Sequence, residues 1–229
     1  MELKITKRLK EVANQVRHKR LADIGTDHAY LPIYLAKAKK IEYAVAGDVV
    51  EGPHKISLEN VKENNLENVI KCRKKDGLEA IEKQDKIEVI TICGMGGKLI
   101  SDILEKGKEK LKKVECLILQ PNVAEYLVRE KVEELGYKII EEKIIEESSH
   151  IYEIIVCIKG EMKLNAKQKK YGVYLPQRKE KVFIKKYQKE IKKLDYILKE
   201  LEKSEKTNKE KILSLQKEKN MIKEVISKK

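Results

Sequence analysis

Between about residue 20 and residue 160, short β-branched runs alternate with amphipathic stretches of helical period, and that alternation leaves few folds open. It is the pattern of a largely parallel sheet with helices on both faces. The runs predict strands at Arg20–Gly25, Tyr43–Asp48, Val69–Lys74, Lys86–Gly94 and Val114–Gln120, with two more at Tyr137–Glu147 and His150–Gly160. No helix fits between the last two. A parallel crossover needs about a dozen residues, so this final pair is expected to be an antiparallel hairpin.

After Gly160 the period changes. Ile184, Tyr187, Ile191, Leu194, Leu198 and Leu201 form a heptad seam; Ile212, Leu215, Ile222 and Ile226 continue its phase, with Lys219 in one slot. Thr207-Asn208-Lys209-Glu210 reads as a capping box that starts a second helix. The tail is expected to be an antiparallel helical hairpin; a single long helix in a parallel dimer is the alternative. Two domains follow, residues 1–160 and residues 161–229.

Charge separates along the same line. Residues 161–229 hold 22 Lys and Arg against 10 Asp and Glu, whereas residues 1–160 hold 29 against 28. A basic helical element suits a polyanion, although a solvated lysine-rich surface has the same composition. With 41% hydrophobic and 39% charged residues the chain is neither disordered nor a membrane protein, and no apolar run approaches the roughly 20 residues that span a bilayer. The first residues, Met1 to Arg8, carry no apolar signal core. Cys72, Cys93, Cys116 and Cys157 are far apart and read as reduced thiols of a cytoplasmic protein, not as a metal or disulfide frame. Only Cys93, beside a glycine cluster, is a candidate reactive thiol.

In open α/β sheets ligands bind beyond the carboxyl ends of the strands. The first predicted strand runs into Asp23-Ile24-Gly25-Thr26-Asp27-His28, where a glycine permits close backbone approach. Gly47-Asp48 ends the second, with a carboxylate able to accept from two ribose hydroxyls. Asp76-Gly77 follows the third, an acidic turn suited to an adenine amino group, and Gly94-Met95-Gly96-Gly97 ends the fourth. No G-x-G-x-x-G is present to seat a pyrophosphate, and Asp27 would repel phosphate. S-adenosylmethionine (SAM) carries a sulfonium, an ammonium and no phosphate, so it suits these ends better than a dinucleotide. Singly, each of these residues also fits an ordinary turn.

These motifs together match something specific. Lys7-Arg8-Leu9, the run Ala22-Asp23-Ile24-Gly25-Thr26-Asp27-His28-Ala29-Tyr30-Leu31-Pro32, Ala46-Gly47-Asp48, Gly94-Met95-Gly96-Gly97, Gln120-Pro121-Asn122 and Tyr152-Glu153-Ile154 resemble the bacterial tRNA (adenine-N1)-methyltransferase family TrmK, which acts on adenosine 22. The resemblance covers essentially the whole chain. It implies a Rossmann-like class I SAM methyltransferase sheet, a C-terminal coiled-coil hairpin that helps hold tRNA, SAM as cofactor and no metal. Asp48 stands where the family often has Glu and Thr26 where it often has Ser, each keeping the functional group. Such a protein is expected to be cytoplasmic, off the membrane and monomeric.

The acceptor nitrogen of adenine bears a lone pair and no proton at neutral pH, so its attack on the methyl carbon needs no obligatory general base. Placement does the work, at about 3–3.5 Å from the methyl carbon, once the base has left its stack. The expected cofactor contacts are Asp23, Gly25, Thr26, Asp27, Asp48, Asp76, Gly77, Gly94, Met95 and Gly96, with Asp27, His28 and Asn122 placing the substrate. Asn122 either orients the adenine edge or begins a turn; His28 either supports an acidic neighbour or touches the nucleobase, or is satisfied by local hydrogen bonds. Tyr152 either stacks on a base or fills the core. Arg8 either contacts a phosphate or the cofactor carboxylate, or belongs to a solvated helix face. Arg178, Lys179, Lys181, Lys185, Lys186, Lys189, Lys192 and Lys193 are assigned to phosphate as a group on the first long helix. The rivals are the same fold with another RNA or a small molecule as acceptor, and a non-catalytic RNA-binding protein.

Overall fold

The computed structural model describes residues 5–202 and 209–227. In chain order the elements are α1 (Lys7–Gln15), β1 (Arg20–Ile24), α2 (Tyr30–Lys37), β2 (Tyr43–Asp48), α3 (Glu51–Glu63), β3 (Ile70–Lys74), β4 (Val89–Gly96), α4 (Gly97–Lys106), β5 (Cys116–Val123), α5 (Glu125–Glu134), β6 (Tyr137–Glu147), β7 (His150–Lys159), α6 (Ala166–Tyr171), α7 (Leu175–Arg178), α8 (Lys181–Glu202) and α9 (Lys209–Ile226). They form two compact units, Met1–Lys170 and Tyr171–Lys229.

The first unit is built on one seven-stranded sheet of order β3-β2-β1-β4-β5-β7-β6. β1 to β5 are parallel, and β7 runs antiparallel to both β5 and β6. The central strands are continuous apolar runs because both of their faces are covered, as in the buried stretches of β1 and β5. Leu9, Val12 and Ala13 of α1, Leu31, Ile33 and Leu35 of α2 and Val61 of α3 join Leu21, Val89 and Ile118 in one buried cluster. On the opposite face α4 and α5 lie side by side, and the Ser101 hydroxyl crosses between them to donate to the Leu127 carbonyl at 3.1 Å. At a yield of roughly 25 cal/mol per Å² of apolar surface buried, this two-sided covering is the dominant stabilisation.

β1 pairs with β2 on one side and β4 on the other, so the strand order reverses around it. That switch point is where the sheet opens a crevice at the carboxyl edge. The β4–β5 register shifts at Cys93/Met95 and again at Met95/Gly96, re-aiming the end of β4 at the same edge.

In the second unit α8 and α9 are antiparallel: Lys179, at the end of α7, donates to the Ser227 carbonyl, and Lys219 pairs with Asp195. Phe183, Tyr187, Leu194 and Leu198 face Leu215 and Ile222 in the buried seam. The lysine that interrupts the heptad phase is thereby accounted for, because its ammonium meets a carboxylate from the facing helix. Thr207 and Asn208 of the expected capping box lie outside the described residues. Among the described residues no helix is long and apolar enough to cross a membrane, and no group of three or more His, Cys, Asp or Glu is placed to hold a metal ion.

Candidate active site

A cleft of about 360 Å³ opens at the switch point. Its walls are Gly25 and Asp27 beyond β1, Gly47 to Val50 at the end of β2, Lys75 to Gly77 beyond β3, Cys93 to Met95 in β4, Leu99 and Ile103 in α4, and Arg8 in α1. Of the residues expected to contact cofactor, Gly25, Asp27, Asp48, Asp76, Gly77, Gly94 and Met95 line it; Asp23, Thr26 and Gly96 do not.

The floor is set by β1 and β2. Gly25 has φ +68° and donates its N–H to the Gly47 carbonyl at 2.8 Å, which also accepts from Thr26 N at 3.1 Å. The backbone angle demands glycine here, and a Cβ on Gly25 would in addition push aside the Met95 methyl carbon, 1.9 Å away. Asp23 is buried beneath that turn, accepting from the Thr26 and Thr91 hydroxyls at 2.6 Å each. Burial pushes its carboxyl above the ordinary range, the two hydroxyls oppose that, and nearby Asp27 adds to it. Asp23 and Thr26 therefore brace the turn from below instead of facing the cleft.

Next come two consecutive left-handed residues, His28 at φ 56° and Ala29 at φ 59°. Each non-glycine residue held there costs roughly 1–2 kcal/mol, so neighbours must hold the turn. Asn60 of α3 donates to the His28 carbonyl at 2.9 Å, and Tyr30 N donates to the Asp27 carbonyl at 3.2 Å. The turn projects Asp27 as an exposed carboxylate with His28 Nε2 at 3.4 Å; His28 Nδ1 is buried without a hydrogen-bond partner. His28 thus sits behind Asp27 and does not line the cleft.

Asp48 ends β2 with one carboxylate oxygen accepting from Val50 N at 2.8 Å. Beyond the Asp76–Gly77 turn, Arg73 of β3 holds the following segment, donating to the Ala80 carbonyl at 2.7 Å and to buried Asp85 at 2.5 and 2.8 Å, and Asp85 also accepts from the Tyr43 hydroxyl at 2.6 Å. Burial works against Asp85, but Arg73 and Tyr43 hold its carboxyl below the ordinary range, while burial and Asp85 push the Tyr43 hydroxyl up to about 12.

The far wall rests on a side chain that the sequence did not mark as functional. Gln120 is fully buried at the end of β5. Its oxygen accepts from Arg8 at 2.6 Å and from Gly94 N at 3.1 Å, and its amide nitrogen donates to the Pro121 carbonyl at 2.9 Å and to Asn122 Oδ1 at 3.1 Å. Asn122 completes the loop by donating to the Gly94 carbonyl at 2.7 Å. Both groups of its amide are thus engaged, the oxygen by Gln120 within β5 and the NH2 by β4, and Asn122 stands at the rim outside the cleft lining. Arg8 reaches the cleft from α1, with its guanidinium over the Tyr152 ring at 5.5 Å from the centroid. Tyr152 therefore supports Arg8. Cys93 lies in the wall, but burial pushes its thiol far up, so it is no thiolate nucleophile.

With this geometry in view, the family model for TrmK, tRNA (adenine(22)-N(1))-methyltransferase, matches residues 21–224. The chain belongs to that family. The tRNA (adenine(22)-N(1))-methyltransferase of Bacillus subtilis (strain 168) is 38% identical over 235 residues, covering 98% of each chain. A Streptococcus pneumoniae protein solved in complex with S-adenosyl-L-methionine is 42% identical with a TM-score of 0.91, covering 98% of this chain and 100% of that one. TrmK of M. capricolum, solved with S-adenosyl-homocysteine, is 31% identical with a TM-score of 0.86 and 97% coverage of both.

The chain's basic residues are distributed differently from expectation. Arg178 and Lys179 precede the first long helix, lying on α7 and at its end, because α7 closes in a left-handed residue at Lys179. Lys179 is half-buried and anchored to Ser227. Lys181, Lys185, Lys186, Lys189, Lys192 and Lys193 do lie on α8. At about 100° per residue they occupy an arc of about 140°, opposite the seam of Phe183, Tyr187, Leu194 and Leu198.

Proposed function

We propose that this chain transfers a methyl group from SAM to N1 of adenosine 22 in tRNA. The observation that carries the reading is a switch-point cleft combining three carboxylates, Asp27, Asp48 and Asp76, with the Arg8 guanidinium and an apolar wall. Carboxylates at successive strand ends disfavour a phosphate-bearing cofactor and suit a cation. SAM is a cation with an amino-acid zwitterion, a ribose diol and an adenine. Asp48, with one oxygen left over from Val50, would accept from the diol, Asp76 from the adenine amino group, and Asp27 and Arg8 would hold the ammonium and the carboxylate. Val49, Val50, Leu99 and Ile103 offer apolar surface to the adenine ring. Gly94 and Met95 leave room beside the donor methyl.

Bound there, SAM supplies a methyl carbon made electrophilic by its sulfonium. The chain's own contribution is placement. The Gly94–Gln120–Asn122 hydrogen-bond loop keeps the end of β4 rigid, so that the N1 lone pair arrives in line without a general base. Methylation leaves the adenine ring cationic, and Asp27, backed by His28, is the counter-charge on that side of the cleft. The lysine face of α8 holds the tRNA backbone without reading sequence. The four free cysteines suit the reducing cytoplasm.

Unmodified bulk tRNA and labelled SAM, followed by digestion to nucleosides, test this directly, with Asp48→Ala beside the wild type. Label in N1-methyladenosine is expected. Losing charge-assisted hydrogen bonds to the diol should weaken SAM binding about 10- to 150-fold. Label in another nucleoside, or undiminished SAM affinity in Asp48→Ala, overturns the assignment.

A further inference from the structure

Among the described residues the first unit exposes eight large apolar side chains, and they are unevenly placed. Ile56 and Leu58 lie on α3 and Ile140 in β6, whereas Val49, Val50, Leu99, Val123 and Tyr126 stand at the carboxyl edge of the sheet, at strand ends or in the first turns of the following helices. Val49, Val50 and Leu99 line the cleft. Val123 and Tyr126 do not, so cofactor does not account for them.

These two carry the edge away from the cleft along β5 and α5. Val123 is 63% exposed and lies over Gly96; Tyr126, 46% exposed, is in the first turn of α5. Tyr126 opens a second depression of about 490 Å³, walled by Glu130, Leu164, Ala166, Lys169 and Lys170. The segment that forms its outer wall is fixed on α5: Arg129 donates to the Lys169 carbonyl at 3.2 Å, and Glu133 accepts from Leu164 N at 2.8 Å. The depression is therefore a formed feature of the first unit. From Asn122 at the acceptor wall to Tyr126 is four residues, at most about 14 Å even if extended.

Resting on the reading of the cleft as a tRNA methylation site, we infer that the Val123–Tyr126 shelf and the depression behind it seat a nucleotide next to the target adenosine on the same strand. Extruding one base leaves its neighbours unstacked, and an exposed tyrosine is a stacking surface tolerant of base identity. The continuity of the shelf with the acceptor wall brings the neighbouring nucleotide, and not a distant part of the RNA, to Tyr126. Lys170 gives the rim positive charge suited to an RNA backbone, while Lys169 is held between Glu133 at 3.2 Å and Glu130 at 3.9 Å.

Steady-state kinetics on the full chain with unmodified tRNA test the seat, using Tyr126→Ala and Tyr126→Phe. Tyr126→Ala should raise KM for tRNA about 5- to 100-fold with the Kd for SAM and the melting temperature unchanged, and Tyr126→Phe should restore wild-type KM because stacking needs the ring and not the hydroxyl. A Tyr126→Ala protein with wild-type KM for tRNA overturns the inference. So does a phenylalanine variant as impaired as the alanine one. If the wild type itself leaves tRNA unmethylated, the functional reading fails first, which is a separable result.

Discussion

Arg129 offers the sharpest test of the fold's energetics. It lies on α5 with its side chain wholly buried, between Glu142 of β6 and Glu153 of β7, which are equally inaccessible. Its Nε donates to Glu142 at 2.8 Å, one terminal nitrogen to Glu153 at 2.5 Å and the other to the Lys169 carbonyl. Arg129→Met keeps most of the volume and leaves two carboxylates without their cation. Breaking a buried pair costs about 3–5 kcal/mol, and two anions sharing one cation place this site at the upper end. With a urea dependence of about 2 kcal/mol per M, the unfolding midpoint followed by circular dichroism should fall by about 1.5–2.5 M. Adding Glu142→Leu and Glu153→Leu to Arg129→Met should recover most of the loss, because the apolar triple carries no desolvation cost. A single variant losing less than about 1 kcal/mol refutes the reasoning. A triple as unstable as the single would instead assign the loss to packing.

Two further outcomes follow from the charges. If α8 and its neighbours neutralise about six phosphates, the slope of log affinity for tRNA against log salt should be about −4 to −5, and removing Lys185, Lys189 and Lys192 should flatten it by about 2–3 for every tRNA alike; a nearly flat wild-type slope counts against the assignment. For Asp23, burial raises the folded carboxyl above its unfolded value near 4, so between those values the folded state binds more protons and stability falls as pH rises. Urea unfolding of Asp23→Asn should therefore gain on the wild type as pH climbs from about 4, and a wild type that gains on the variant would contradict the sign.

Much of the architecture was legible because it follows from periodicity. The hairpin of β6 and β7 was forced by the lack of room for a crossover, and its pairing runs from Glu147↔His150 to Tyr137↔Lys159. The errors lie at strand ends where backbone geometry overrides composition. β4 begins at Val89 instead of Lys86 because Lys86 is left-handed, at φ 50°. β5 continues through Pro121 to Val123, although proline usually ends a strand. Pairing with β7 stops at Leu119, so beyond that point β5 is an edge, where a residue lacking an N–H leaves no ladder bond unmade on that side.

The site divides along a different physical line. Residues that line the cleft were readable only together, since a carboxylate or glycine at one strand end also fits an ordinary turn but four successive ends do so less easily: Gly25, Asp48, Asp76 and Gly94 all line it. Residues that hold others were not separable from those that line the cleft, because an acid in the same motif can point either way. Strand alternation alone does not separate Asp23, turned beneath the floor onto Thr26 and Thr91, from Asp27, four residues on and exposed in the cleft. Gln120 was passed over for the same reason: its chemistry depends on Arg8, 112 residues away in sequence. Once Gln120 accepts from both Arg8 and Gly94 N, its amide nitrogen has to donate, and that fixes Asn122 with its oxygen toward Gln120 and its NH2 toward the Gly94 carbonyl. Asn122 thus braces the β4 wall of the cleft, and through Gln120 and Arg8 that wall is tied to the N-terminal helix.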